Sequence, residues 1–334
     1  MKRIGQKTLE FSAPPTVLSH AAVGGKKEAE GPLGADFDQT FQDTSLAMES
    51  WEKAEAQLQK EAVTLAIDKA GMSAAQMDFI FAGDLLNQCI SSTFGLLDFQ
   101  IPFLGQYGAC STMAQTLLMA AMTVESGAAE RSVAVTSSHF CSAERQFRTP
   151  LEYGSQRTPT AQWTATASGC VVVGKGGKVK IRHGLVGKIV DLGVKDPANM
   201  GAAMAPAAAD SIYQYLSDTG TKPEDYDGIF TGDLALVGTE LLYQSLEDNG
   251  VNIQNVHHDC GLLLYDRERQ DVHAGGSGCG CSASVLSGHL LKRMERGDLK
   301  NILFCATGAL MSPTSQQQGE AIPGICHILH LTTE

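Results

Sequence analysis

The sequence predicts an α/β protein made of two similar βαβαβ halves. The chain of 334 residues is longer than a usual single hydrophobic core requires. Two different helix-then-strand segments each occur twice, and both pairs follow the same order along the chain. We therefore expect an N-terminal half over residues 1–190, with a cap insertion, and a C-terminal half over residues 191–334.

The first repeated segment covers residues 61–85 and 210–234, which align without a gap. Each copy has the pattern of an amphipathic helix that ends at a glycine, Gly71 or Gly220. A short acidic connection follows, and then an apolar, β-rich run that closes with Gly-Asp. Both copies therefore predict a helix followed by a buried strand.

The second repeated segment covers residues 109–136 and 280–307. Apolar residues recur at spacings of four, four and three in the first copy and at spacings of four in the second, which is typical of one face of a helix. Each helix starts at Cys-Ser and gives way to an apolar strand. Helices that alternate with strands in this way indicate parallel crossovers within each half.

Composition and charge exclude several classes of protein. The 37 acidic and 25 Lys and Arg residues give a net charge of −12, which disfavours nucleic acid and anionic lipid as partners. The nine cysteines are odd in number and scattered, so we expect reduced thiols in a cytosolic protein. No apolar run has the length of a signal peptide or a membrane span. We expect no cofactor and no metal, because the spacing of Cys279 and Cys281 is not that of a zinc site.

The string 108–112, Gly-Ala-Cys-Ser-Thr, opens the first of the long helices. A duplicated half with a cysteine at this point resembles the thiolase-like superfamily, which contains thiolases and ketoacyl-acyl-carrier-protein synthases. The resemblance implies that the two halves form a layered αβαβα architecture. The resemblance implies that Cys110 is a nucleophile at a tight strand-to-helix turn, where the helix amino terminus stabilises a thiolate. The alternative is a small buried cysteine that only packs.

The resemblance also implies two partners for Cys110 from the second half. His257 resembles the first partner, although a His-His pair can equally be a polar turn. The loop 275–281 should bring an Asn or a second His, and it offers neither; Cys279 occupies roughly that position. A thiol is a weak hydrogen-bond donor, so carbon–carbon bond chemistry lacks one of its stabilising groups. Enzyme activity is therefore uncertain, and the alternative function is an acyltransferase of the thiolase or ketoacyl-synthase type that uses Cys110.

A closer resemblance covers essentially the whole chain and rests on five strings, at residues 30–34, 82–88, 143–148, 203–210 and 274–279. They resemble a family of bacterial sporulation proteins within the thiolase-like superfamily. The resemblance implies non-enzymatic binding of dipicolinic acid, free or as its calcium chelate, to support its uptake into the developing spore. It also implies a homodimer at the cytoplasmic face of the spore inner membrane, with membrane proteins of the same uptake complex as partners.

Dipicolinate carries two carboxylates, so its pocket needs fixed cationic or amide donors between apolar walls. Arg145 and Arg148 are our candidates, because the planar guanidinium can pair a carboxylate through two hydrogen bonds. Arg157 is a weaker candidate in the same insertion. A solvated charged loop or a dimer contact is the alternative reading of these arginines.

Further candidate donors surround the two glycine-rich turns. Ser111, the amides at the start of the Cys110 helix and the amides around Gly276 would form an anion-binding nest. Asn87 follows the first Gly-Asp strand end and could reach the mouth of the pocket. The predicted ligand-binding set therefore also includes Cys110, His257 and Cys279.

Overall fold

The structure is a computed structural model that describes residues 1–147 and 157–334. Its strands are β1 (Lys2–Ile4), β2 (Thr8–Glu10), β3 (Thr16–Gly24), β4 (Gln39–Thr40), β5 (Phe79–Gly83), β6 (Phe103–Gly105), β7 (Ser132–Ser138), β8 (Trp163–Thr164), β9 (Ala167–Gly174), β10 (Val179–Leu185), β11 (Gly228–Thr231), β12 (His257–Asp259), β13 (Gly276–Ser277), β14 (Asn301–Ala309) and β15 (Gly324–Thr332).

The helices are α1 (Lys26–Ala29), α2 (Trp51–Lys69), α3 (Ile90–Gly95), α4 (Thr112–Glu125), α5 (Phe140–Phe147), α6 (Met200–Thr219), α7 (Ala235–Glu247), α8 (Cys260–Leu264), α9 (Cys279–Ser284), α10 (Leu291–Arg296) and α11 (Pro313–Gln317). A π-helical turn, Val285–Leu290, joins α9 to α10. Short 3₁₀ turns cover Gly34–Asp36, Ala74–Gln76, Asn87–Cys89, Leu97–Phe99 and Pro223–Asp225. In the described part of the chain, no helix is both long and apolar enough to cross a membrane.

The strands form a mixed sheet in which two sets of five strands have the same internal order. From the centre outwards, one set runs β3-β9-β7-β5-β6 and the other runs β10-β15-β14-β11-β12. The two sets also agree in the order in which their strands occur along the chain. In each set the innermost strand comes first, followed by the fourth, the fifth, the third and the second strand from the centre. The sets meet where β10 pairs with β3 through only two residue pairs. The duplication read from the sequence therefore reappears as a repeated strand order.

The repeated segments occupy equivalent places in the two sets. Residues 61–85 contain the end of α2 and all of β5, and residues 210–234 contain the end of α6 and all of β11. Gly71 and Gly220 follow these helices with φ of +66° and +67°, a left-handed conformation that costs glycine little. The predicted boundary near residue 190 falls in the segment between β10 and α6.

Two helices lie between the sets and hold them together. α4 contacts β5 and β7 of the first set and β14 and β15 of the second, and α9 of the second half packs on β7 and β9 of the first. The main core cluster includes Phe81, Met113 and Leu117 from the first half and Phe304 and Leu329 from the second. Residues at the amino termini of α4 and α9 therefore meet near the carboxyl ends of the central strands.

Candidate functional site

A pocket opens beside Cys110, where α4, α5 and α6 approach the ends of the sheet strands. The volume of the cavity is about 40 Å³, and it is about 450 Å³ when all the open space at its mouth is counted. Most of the wall is apolar, and it includes Leu85, Ala109, Ala143, Phe147, Met200 and Met311. Polar atoms come from Tyr107, Cys110, Glu144, Thr164 and Ser277. A mostly apolar wall with a few polar groups is typical of a small-molecule site.

A tight turn delivers Cys110 to this pocket. Ala109 has φ of +49°, and Cys110 follows it two residues before the first residue of α4. The Thr112 hydroxyl accepts from the Gly108 amide at 3.0 Å, which closes the turn. A Cβ on Gly308 would lie 2.5 Å from the Gly108 carbonyl oxygen, so β14 of the second half presses against this turn. The strand-to-helix turn that the resemblance implied is therefore present.

The environment of Cys110 favours a neutral thiol. Its side chain is buried, and its Sγ lies 3.9 Å from the Ser277 Oγ. Burial and the nearby negative charge of Asp233 raise the pKa of Cys110 well above its usual value. Asp233 accepts from the Ser277 hydroxyl and the Gly278 amide, both at 3.0 Å. The resemblance implied that the helix terminus stabilises a thiolate at Cys110. In this structure the effect of burial on the pKa is larger, and the thiol stays neutral.

Alkylation of the native protein should show this directly. We expect Cys110 to react with iodoacetamide at pH 7 at least about tenfold more slowly than a free thiol, because the thiolate is the reactive form. The labelling rate should keep rising above pH 9. Peptide mass mapping would measure it, with the same protein in urea as the control. Rapid labelling with a midpoint below pH 7 would contradict the raised pKa and favour a catalytic thiolate.

His257 does not line the pocket. The Thr231 hydroxyl donates its hydrogen to Asp259 at 2.7 Å, so the Thr231 oxygen accepts from His257 Nε2, at 2.9 Å. The other ring nitrogen of His257, Nδ1, accepts from the Tyr243 hydroxyl, also at 2.9 Å. Burial lowers the pKa of His257 to about 3, which makes the ring neutral. With both ring nitrogens occupied within the second half, the structure does not bring His257 together with Cys110.

Three other candidates also lie away from the pocket or outside the described residues. Arg145 forms an ion pair with Glu52 of α2. Arg148 lies outside the described residues. The backbone N–H of Asn87 donates to Gln146 Oε1 at 3.0 Å, and Asn87 does not line the pocket. Of the predicted arginine pair, Arg145 therefore does not line the pocket, whereas Arg148 stays a prediction.

Ser111, Gly276 and Cys279 lie close to the pocket without forming its wall. The Ser111 hydroxyl is buried and donates to the Gly108 carbonyl at 2.6 Å. Gly276 pairs with β8. Cys279 is completely buried, shares a small apolar cluster with Cys110, and donates to the Ser137 carbonyl oxygen at 2.9 Å. These residues support the pocket from behind.

Two charged groups near the pocket stood out little in the sequence. Asp233 was not among the predicted site residues, and Arg157 was only a weaker candidate. Asp233 follows β11 and reaches Cys110 through Ser277; its Gly-Asp strand end, repeated in both halves, was the available signal. Arg157, the weaker candidate, packs 5.3 Å from the Trp163 ring centre, with its Nη1 3.9 Å from Glu144 Oε1. It therefore brings a cation close to the pocket wall. Within the described ranges, no group of three or more His, Cys, Asp or Glu residues could hold a metal ion.

The chain has a thiolase-like fold, as its similarity to solved structures shows. The chain is similar to 3-oxoacyl-[acyl-carrier-protein] synthase III from Aquifex aeolicus VF5, with a TM-score of 0.59 and 13% identity over 95% of this chain and 99% of that one. It is also similar to a cerulenin-bound variant of OleA from Xanthomonas campestris, with a TM-score of 0.65 and 12% identity over 97% and 98% of the two chains. Human mitochondrial 3-ketoacyl-CoA thiolase in complex with CoA matches with a TM-score of 0.55 and 12% identity, over 98% of this chain and all of that one. These similarities confirm the predicted fold class.

The particular family follows from closer relatives. The family model for stage V sporulation protein AD matches residues 5–332. The stage V sporulation protein AD of Bacillus subtilis (strain 168) is 45% identical over 328 residues, which are 98% of this chain and 97% of that protein. The chain belongs to the stage V sporulation protein AD family, so the resemblance to a sporulation family is also confirmed.

Proposed function

We propose that this protein binds dipicolinic acid in the Cys110 pocket, without chemical conversion, and so supports dipicolinate uptake into the developing spore. One observation carries the proposal: an open pocket remains around a cysteine that is held as a neutral thiol. Among the described residues, no histidine lines that pocket. Membership of a sporulation family gives such a pocket its biological setting.

The pocket chemistry suits a flat aromatic acid. Leu85, Phe147 and Met200 can contact the two faces of a pyridine ring, since they are apolar and line the wall. Glu144 would repel a carboxylate, and the guanidinium of Arg157 beside it offsets that negative charge. A bound dipicolinate is therefore expected to approach the Arg157 side of the wall with its ring between the apolar side chains.

Isothermal titration calorimetry on the purified protein tests the proposal. We expect saturable binding of dipicolinate, measured with and without calcium. Phe147→Ala should weaken binding roughly tenfold by removing an aromatic contact, and Arg157→Ala should weaken it by a similar factor. Arg145→Ala is the matched control and should bind as the wild type does, because Arg145 pairs with Glu52 instead of lining the pocket.

Two results would count against the proposal. The first is an absence of binding under both calcium conditions. The second is a covalent acyl group on Cys110 after incubation with acyl thioesters, seen by intact-mass analysis and abolished in Cys110→Ser. That result would favour the acyltransferase alternative.

We also propose a homodimer, with membrane proteins of the same uptake complex as further partners at the cytoplasmic face of the spore inner membrane. Within the described residues β6 pairs with β5 alone, so it is an edge strand with free backbone groups. Phe94, Leu97 and Leu104 are exposed on or near this edge. Such an edge favours association with a second copy, and light scattering tests the resulting mass.

A further inference from the structure

We propose that the amino terminus of α6 binds a carboxylate group of the pocket ligand. The inference rests on the proposed function and assigns one half of the ligand to a part of that pocket. α6 has 20 residues, and its first residue, Met200, lines the pocket beside Cys110. The helix therefore begins at the cavity wall.

The first turn of α6 has unused hydrogen-bond donors. The amide N–H groups of Met200, Gly201 and Ala202 donate to no described residue. Asn199 precedes the helix, and its side chain accepts no capping hydrogen bond. Free amides at the start of a helix carry a positive potential equivalent to roughly half an elementary charge, which falls off within the first turn. This helix end is therefore suited to a negative group in the adjacent pocket.

A second, independent observation also points to a ligand. Thr164 of β8 is only 6% exposed and lines the same pocket. Its hydroxyl forms no hydrogen bond within the described part of the chain, although a threonine hydroxyl in a nearly closed environment normally has a partner. A hydroxyl can donate to a carboxylate oxygen. Two elements distant in sequence thus each offer the pocket an unused donor.

The charges around the pocket favour this placement. Asp233 lies behind Cys110 and disfavours a carboxylate close to that residue, whereas Arg157 offsets the charge of Glu144. No Lys, Arg or His lines the pocket among the described residues. The helix end provides positive potential at the wall itself, whereas Arg157 acts from behind Glu144. The ligand class that fits is a compact aromatic carboxylate, with one carboxylate directed at α6.

Asn199→Asp provides a sharp test, because it places a negative charge at the same helix end. Aspartate interacts favourably with the helix dipole, but Asn199 Oδ1 is buried without a hydrogen-bond partner, so a charge there also loses hydration. The melting temperature of the variant is therefore measured first, to show that it folds. Binding of dipicolinate and of picolinate should weaken roughly tenfold, since a fixed carboxylate competes for the same amides. Asn199→Ser, a neutral residue suited to the same position, is the matched control and should change affinity less than about twofold.

The outcomes separate this inference from the proposed function. Unchanged affinity in Asn199→Asp, or an equal loss in Asn199→Ser, would overturn the helix-end site. If the wild type binds picolinate or benzoate but not dipicolinate, the proposed function fails, while a weakened Asn199→Asp still supports the helix-end site. If calorimetry detects binding of none of the three acids, both proposals fail.

Discussion

Replacement of Gly169 by alanine is expected to lower the free energy of unfolding by about 3 kcal/mol, because it forces a helix away from the sheet. Gly169 lies in β9, where α9 crosses the strand. A Cβ at this position would lie 2.2 Å from the Ala283 carbonyl oxygen and 2.3 Å from the Ala283 carbonyl carbon. These are backbone atoms of a packed helix, so they cannot rotate away as a side chain could. Glycine here permits the close approach of strand and helix.

Gly174→Ala is the matched control for this substitution. Gly174 ends the same strand, but the nearest atom to its added Cβ would be the Leu18 Cδ1, at the far end of a flexible side chain. Its cost should stay below about 1 kcal/mol, because a terminal methyl group can move. Urea unfolding, monitored by circular dichroism, measures both. Equal stability losses at the two positions would show that the α9 contact does not limit packing.

The Gly169 contact also has a consequence for the pocket. α9 begins at Cys279, directly after Ser277 and Gly278, which both donate hydrogen bonds to Asp233. A displaced α9 would move Ser277 relative to Cys110. Any Gly169→Ala protein that still folds is therefore expected to bind dipicolinate more weakly, whereas Gly174→Ala should not differ from the wild type.

The fold and the cysteine turn could be predicted because they depend on local patterns. The helical periodicity of the residues after Cys110 places Cys110 just before α4. The repeated Gly-Asp pairs mark the carboxyl ends of β5 and β11. These signals extend over a few residues at fixed spacing. The repeated order of the segments then predicts that the two halves share one order of helices and strands along the chain, but it does not predict which strands pair in the sheet.

The orientation of the candidate side chains could not be predicted in the same way. On α5, Ala143 and Phe147 are four residues apart and share the pocket face. Arg145 is two residues after Ala143, which rotates it about 200° around the helix to the side of Glu52. The charged segment was evident in the sequence, but its helical phase was not. His257 was misplaced for a related reason, because its hydrogen bonds to Thr231 and Tyr243 depend on neighbouring elements of the second half.

A buried carboxyl group beneath α5 leads to the second large expected effect. Glu55 of α2 is completely buried and accepts hydrogen bonds from the Ser142 hydroxyl at 2.6 Å and the Ser137 hydroxyl at 3.2 Å. Burial, and then the nearby charge of Asp84, raise the pKa of Glu55 well above its usual value of about 4.5. Ser142 belongs to α5, the helix that carries the pocket residues Ala143, Glu144 and Phe147, so Glu55 ties this part of the wall to α2.

The raised pKa determines the sign of the pH dependence. A carboxyl that keeps its proton in the folded state but loses it on unfolding stabilises the fold fully below the unfolded-state pKa. This contribution declines as the pH rises towards the folded-state pKa, by about 1.4 kcal/mol for each pH unit. The Glu55 contribution to the free energy of unfolding should therefore fall between pH 5 and the pKa of folded Glu55. Buried histidines such as His257, whose pKa values are lowered, contribute the opposite slope in both proteins, so the Glu55 effect is measured as the difference between the wild type and Glu55→Gln.

Urea titrations of the wild type and Glu55→Gln across pH 5 to 8 measure the difference. Glutamine keeps the size of the side chain and can still accept from Ser137 and Ser142, so the variant should be folded throughout. Glu52→Gln is the control on the same helix: burial raises the pKa of Glu52, but its hydrogen bond from Arg145 and the charge of Arg145 produce a net lowering. Glu52 is therefore ionised in both the folded and the unfolded state over this range. The free energy of unfolding of Glu52→Gln should depend on pH in the same way as that of the wild type. A Glu55→Gln curve that also runs parallel to the wild-type curve would mean that Glu55 is ionised in the folded protein, and the tie between α2 and α5 would then be a charged hydrogen bond.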